Sequence, residues 1–183
     1  MRHDGSPMTT VHVWWADLRA ADVSAASRLP AAERARLEEL DDDAARGRRL
    51  VGELLLQRAL RHARALPDDV LVEIDRTCAQ CGAQHGRPVA ADGAGPWLSV
   101  THAGVLVAVA TCDAAAVGID VDRASADWVA AEARVKAGVA DPDLGTTVPL
   151  VAPLPGYAAA LAVAGRGEIH VEEHFLTGAP GRR

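Results

Sequence analysis

The sequence predicts an α+β fold of two similar halves, the second shortened. Hydrophobic periodicity runs from strand to helix to strands, and that order occurs twice without any literal repeat of sequence. The length of 183 residues suits one domain or two small, closely packed halves, and 49% hydrophobic with 24% charged residues excludes a disordered or fibrous chain. The expected halves span residues 8–103 and 104–178.

Each element has a local reason. Val11–Trp15 alternates weakly and reads as an opening strand. Pro30 near the start of an Ala/Glu/Arg-rich stretch predicts a short helix to Leu40. Asp41–Asp43 is an acidic N-cap for the longest helix, Ala44 to Ala65, which Pro67 stops. Val51, Leu54, Leu55 and Ala59 form its apolar stripe, and Arg46, Arg48, Arg49, Arg58, Arg61 and Arg64 give it a basic exposed side. Val70–Asp75 alternates as a strand, and Thr77–Gly95 is loop-rich. Trp97–Thr101, Val105–Thr111 and Ala116–Asp122 follow as three strands, then an Ala-rich helix over Ala126–Lys136. Val148–Ala152, Tyr157–Ala164 and Glu168–Val171 close the chain as strands.

Several function classes are disfavoured at once. The apolar stretches are too short for a bilayer, which needs about 20 residues. Met1–Pro7 lacks an apolar core, so a disordered leader before a second start at Met8 is expected, not a secretory signal. A net charge of -6 without a dense basic stripe argues against nucleic-acid binding. Three cysteines, Cys78, Cys81 and Cys112, together with no sign of export, imply a reducing cytoplasm. Among the 19 basic residues Lys136 is the single lysine, which follows from a high-GC coding bias unless the position requires an ammonium.

Some residues could carry chemistry. In Val117-Gly118-Ile119-Asp120-Val121-Asp122 the two carboxylates project from one face of a strand, as a Mg2+ site or as a solvated strand end. Glu132 and Lys136 lie four apart on a helix with Trp128 four before, giving either a surface ion pair or a metal ligand followed by a phosphate-binding cation. His102 leaves the strand Leu98–Thr101 where it could meet a phosphate or serve merely as a loop residue. His85-Gly86-Arg87-Pro88 is a turn with an available guanidinium. Cys78-Ala-Gln-Cys81 has zinc-knuckle spacing, but His85 is the one extra ligand nearby and no second Cys/His pair stands at a standard distance. His170-Val-Glu-Glu-His174 matches an inverted zinc-hydrolase pattern, yet that chemistry needs a helix and this segment alternates like a strand.

In order, Gly86-Arg87-Pro88, Ser99-Val-Thr101-His102, Val117–Asp122 and Trp128-x-x-x-Glu132-Ala-x-x-Lys136 resemble the 4'-phosphopantetheinyl transferases of the monomeric, surfactin-synthetase-activating type. Arg48–Arg58 is similar to that family's first long helix, and Pro155-Gly156-Tyr157-Ala-Ala-Ala-Leu to its closing strand. The resemblance implies a pseudo-dimer with coenzyme A in the cleft between the halves. It implies transfer of the phosphopantetheine arm to a serine of an apo acyl or peptidyl carrier protein, the holo-[acyl-carrier-protein] synthase reaction, releasing 3',5'-ADP. Asp120, Asp122 and Glu132 would hold Mg2+, and Glu132 or a metal-bound water could take the serine proton. Arg48, Arg87, Thr101 and His102 would face coenzyme A, with Lys136 at the pyrophosphate and Gly52 permitting close approach to the helix.

Two departures bear on activity. Ala131 stands where the family usually has lysine, and only Arg123–Asp127 separates Asp122 from Trp128 where the family has a long insert. A cytoplasmic monomer without nucleic-acid or membrane partners is expected. The alternatives are a degenerate relative that binds coenzyme A or a partner without transfer, and the zinc hydrolase.

Overall fold

The computed structural model describes residues 8–20 and 23–176; the expected leader Met1–Pro7 and the last two residues of the expected second half lie outside them. Twelve strands and α-helices follow in the order β1 (Thr9–Asp17), α1 (Ala31–Glu38), α2 (Asp43–Ala63), β2 (Ile74–Asp75), β3 (Val89–Ala90), β4 (Trp97–Ala103), β5 (Leu106–Cys112), β6 (Val117–Asp122), α3 (Ala126–Ala137), β7 (Gly145–Leu150), β8 (Ala158–Ala164) and β9 (Ile169–Leu176) among the described residues. The fold is mixed α+β, with a four-stranded sheet ordered β4-β5-β1-β9, a three-stranded sheet ordered β6-β8-β7, and a ribbon of β2 and β3.

The two sheets repeat one connection. In β1–α2–β4–β5 the last strand lies between the other two and antiparallel to both. In β6–α3–β7–β8 the last strand again lies in the middle, antiparallel to both neighbours.

Strand alternation builds the layers. Val11, Val13 and Trp15 of β1 meet Ile119, Val121, Leu161 and Val163 between the sheets. Trp14 and Ala16 face the other way and pack with Val51, Leu55, Leu56 and Ala59 of α2. Val129, Ala133 and Ala137 of α3 cover Ala160 and Ala162 of β8. The order is therefore helix, sheet, sheet, helix. No helix of the described residues is long and apolar enough to cross a membrane.

Helix limits follow their caps. Asp42 Oδ2 accepts from the Ala45 N–H at 2.7 Å to start α2. Ser125 Oγ accepts from Trp128 N–H at 3.3 Å to start α3, which ends at Gly138 in the left-handed region, φ 72°.

α3 crosses β6 at Gly118, where an added Cβ would lie 2.1 Å from the Ala133 carbonyl oxygen and 2.5 Å from Ala137 N. Those are backbone atoms, so a side chain must push the helix away. Gly118→Ala is expected to cost about 1–3 kcal/mol, the usual range for overpacking, and to lower the urea midpoint. A midpoint equal to the parent's would show that α3 has slack.

Three expected strands need correction. The strand expected at Val70–Asp75 pairs only over Ile74–Asp75, because Gln57 engages both backbone groups of Val72, Nε2 donating at 2.7 Å and Oε1 accepting at 3.0 Å. β7 is shifted toward the N-terminus of the expected Val148–Ala152, with Pro149 tolerated on an edge strand. β9 runs on to Leu176 because it pairs in parallel with β1, from Thr9↔Ile169 to Ala16↔Leu176. A division at 103/104 falls in the β4–β5 hairpin, paired from Trp97↔Cys112 to Ala103↔Leu106. The first sheet thus extends to Cys112 and recruits β9 from the end of the chain.

Candidate functional site

A cleft of about 800 Å³ opens between α2, the end of α3, the face of β4 and the loop that carries Arg76 and His85–Pro88. α2 starts at a three-aspartate cap and brings Arg48 and Arg49 to the cleft; of the basic side expected to be exposed only Arg58 is, and the other five arginines are half-buried. Arg87, His102 and Lys136 reach the same cleft from the 76–88 loop, β4 and α3. Four of the five residues expected at coenzyme A thus border one space. Thr101, the fifth, does not line it.

The lining is mostly cationic, and four of its five cations are paired: Arg48 with Asp42, Arg49 with Glu33, Arg76 with Glu53 and Lys136 with Asp120. Arg48, Arg49, Arg76, Arg87 and Lys136 line the cleft with Glu53 as the one acid among its lining residues, in a chain of net charge -6. Arg87 is fixed by its own donors, Nε to the Leu98 carbonyl at 3.0 Å and Nη2 to the Val117 carbonyl at 2.8 Å, with its guanidinium 5.3 Å over the Trp97 ring. Burial pushes the Arg87 guanidinium down, and it has no carboxylate partner among the described residues. His102 is held below the ordinary histidine value, first by desolvation and then by the positive charges of Arg48 and Lys136. This is the pattern of a site that gains from a bound anion.

Deeper in the cleft lies an ionic network that the sequence did not reveal. Glu33 and Glu53 are buried; Arg49 bonds Glu33 at 3.1 Å and Arg76 bonds Glu53 at 2.5 Å, while Arg36 also holds Glu33. Burial raises the Glu53 carboxyl against the pull of Arg76, which comes next in size. Glutamates at i and i+20 on separate helices carry no periodic signal, and Arg76 sits in a loop.

The expected metal carboxylates are placed less simply. Asp120 is buried; its Oδ1 accepts from Thr101 Oγ1 at 3.0 Å and from Lys136 Nζ at 2.7 Å. Lys136 Nζ also donates to the Ile119 carbonyl at 3.2 Å. The expected Glu132–Lys136 surface pair therefore does not form, because the close α3–β6 crossing brings the ammonium to Asp120 instead. Asp122 Oδ1 accepts from Ala124 N–H at 3.1 Å in the turn toward α3. The Glu132 carboxylate makes no hydrogen bond or ion pair with any described residue, though its backbone is part of α3. Asp120, Asp122 and Glu132 are not gathered among the described residues; their oxygens do not all lie within 4.8 Å of one another. As a donor set they still fit Mg2+, which takes hard oxygens and often only one or two carboxylates.

Thr101 holds Asp120, and Oγ1 also accepts from Val121 N–H at 3.4 Å. Its place is behind the carboxylate, outside the residues that line the cleft. Gly52 lines the cleft, but a Cβ there would meet Val107 Cγ1 at an ordinary 3.8 Å, so protein packing alone does not require glycine.

The hydrolase pattern fails on geometry. His170 and His174 lie on strand β9, roughly 13 Å apart along it at 3.3 Å per residue, so they cannot share a metal. His174 Nε2 instead lies 3.2 Å from His12 Nδ1, and its ring stacks on Trp14 at 4.0 Å. His62 of α2 packs against both histidines.

No protein-family model matches the chain, and no curated protein matches it.

Proposed function

We propose that this chain is a compact 4'-phosphopantetheinyl transferase, acting on coenzyme A and an apo acyl or peptidyl carrier protein. One observation carries the reading. Arg48, Arg87, His102 and Lys136 come from four separate segments, were singled out by the order of their motifs, and border the same cationic cleft. Its volume is that of a small-molecule site. The repeated strand–helix–strand–strand connection supports the pseudo-dimer, with the cleft between the halves.

In this reading Arg48 and His102 hold the 3'-phosphate, and Lys136 and Arg87 meet the pyrophosphate. Asp120, Asp122 and Glu132 would hold Mg2+, which neutralises charge on the pyrophosphate. The carrier serine oxygen bonds to the β-phosphorus of coenzyme A, and the bond from that phosphorus to the bridging oxygen breaks. 3',5'-ADP leaves with the electron pair. The unpartnered Glu132 carboxylate accepts the serine proton. The enzyme works as a cytoplasmic monomer on this reading.

A degenerate relative is the second reading, favoured by the pairing of Asp120 with Lys136, by carboxylates that are not gathered, and by Ala131. It predicts coenzyme A binding without transfer. Thermal shift with coenzyme A and intact mass of the carrier separate the two: both signals support the enzyme, binding alone supports the relative, and neither refutes both.

His102 gives a pH test. Its free-state value is depressed by desolvation and by two cations, and a phosphate beside it favours the imidazolium. The bound value is then the higher one, so affinity is greatest below the free value and falls as pH rises through the bound value. Calorimetry in buffers of different ionisation heat should show proton uptake on binding, at pH between the free and bound values, that His102→Ala removes. Uptake that survives the substitution would place the proton elsewhere.

A further inference from the structure

The loop that walls the cleft brings three soft or borderline donors to one point. Cys78 Sγ, Cys81 Sγ and a ring nitrogen of His85 all lie within 4.8 Å of one another, and Cys81 Sγ stands 3.1 Å from His85 Nε2. A tetrahedral zinc with Zn–S near 2.3 Å and Zn–N near 2.0–2.1 Å sets S···N at about 3.6 Å, so a shift of a few tenths of an ångström admits the ion. The spacing Cys-x-x-Cys with a histidine four residues later left this reading without a fourth ligand. Folding adds no fourth protein ligand among the described residues, but it doubles the chain back so that the three donors meet.

The backbone holds that turn. Gly82 N–H donates to the Cys78 carbonyl at 2.8 Å, Cys78 N–H donates to the Ala83 carbonyl at 2.8 Å, and Gly82 takes φ 73°. Cys81 and His85 are exposed, so no hydrophobic core explains their meeting. All the cysteines are free thiols.

We propose that Cys78, Cys81 and His85 bind a zinc-class divalent ion, whose fourth position is open to water, and that the ion clips the loop forming one wall of the cleft. Two thiolates and an imidazole select zinc over the hard Mg2+ of the carboxylate set. The clip matters because its last ligand is followed by Gly86 and Arg87. Gly86 N–H donates to the Arg76 carbonyl at 2.6 Å, and a Cβ on Gly86 would sit 2.8 Å from the Thr77 carbonyl oxygen, so the return strand lies tight on the loop's start. Arg87 then bolts to β4 and β6. The effect on coenzyme A rests on the function proposed above; metal binding does not.

The test is Co2+ titration of the full reduced chain, followed by Zn2+. One equivalent should give thiolate-to-cobalt charge-transfer absorption that Zn2+ removes. Cys81→Ser and, separately, His85→Asn should weaken binding at least about a hundredfold, since losing a ligand exceeds the loss of an outer-shell partner. Circular dichroism checks that each variant is folded. Absence of the charge-transfer band, its survival in Cys81→Ser, or binding abolished only by His62→Ala in the histidine cluster would each overturn the proposal. A thiolate band in a chain that fails to bind coenzyme A would leave the zinc site standing and remove the transferase reading.

Discussion

Asp120→Ala is expected to abolish carrier modification, by about a thousandfold or more, while the protein stays folded and coenzyme A still raises its melting temperature. The carboxylate is buried, held by Thr101 Oγ1 and facing the Lys136 ammonium, so it is the best-fixed oxygen donor of the proposed Mg2+ set. The alanine variant also leaves that ammonium without its carboxylate. Asp120→Asn keeps the shape and separates lost charge from lost packing. EDTA should reproduce the loss in the parent, and excess Mg2+ should restore it. Turnover equal to the parent's in Asp120→Ala would refute the metal assignment.

The second large effect concerns the single lysine. Lys136→Arg keeps the charge, yet is expected to lower kcat/KM about 10- to 100-fold, or about 1.4–2.7 kcal/mol. Nζ lies between Asp120 Oδ1 at 2.7 Å and the Ile119 carbonyl at 3.2 Å, under a helix that passes β6 at backbone contact. A compact ammonium fits there; a planar guanidinium needs more width. In a chain that uses arginine for every other positive charge, that fit is a physical reason for the exception. Parent-like kinetics in Lys136→Arg would show that any cation serves. A melting temperature measured alongside distinguishes a misplaced charge from a displaced helix.

Much of this architecture was legible because its signals are local. Asp41–Asp43 before an apolar stripe, and Pro67 after it, bound α2 closely, and the Ala-rich run Ala126–Lys136 marks α3 to within a residue. What escaped the sequence depends on distant partners. β9 is eight residues long because β1 offers it a parallel edge, which four alternating residues cannot announce. Val70–Leu71 is not a strand because a glutamine one helix away satisfies the next residue's backbone.

The site divides the same way. Motif order identified Arg48, Arg87, His102 and Lys136, and the fold brings them to one cleft. Helical spacing pointed Lys136 at Glu132, but a glycine on the facing strand brings α3 near enough to pair it with Asp120. Propensity and spacing describe one element at a time; the crossing of two elements decided this contact. The buried pair Glu33 and Glu53, and the meeting of His12, His62 and His174, likewise arise from crossings that no window of sequence contains.

Intact mass of an apo carrier protein after incubation with this chain, coenzyme A and Mg2+ tests the central claim most directly. A gain equal to one phosphopantetheine arm, lost when the carrier's acceptor serine is changed to alanine, is the predicted result. An unchanged mass across apo carriers of fatty-acid, polyketide and peptide-synthetase type would contradict it.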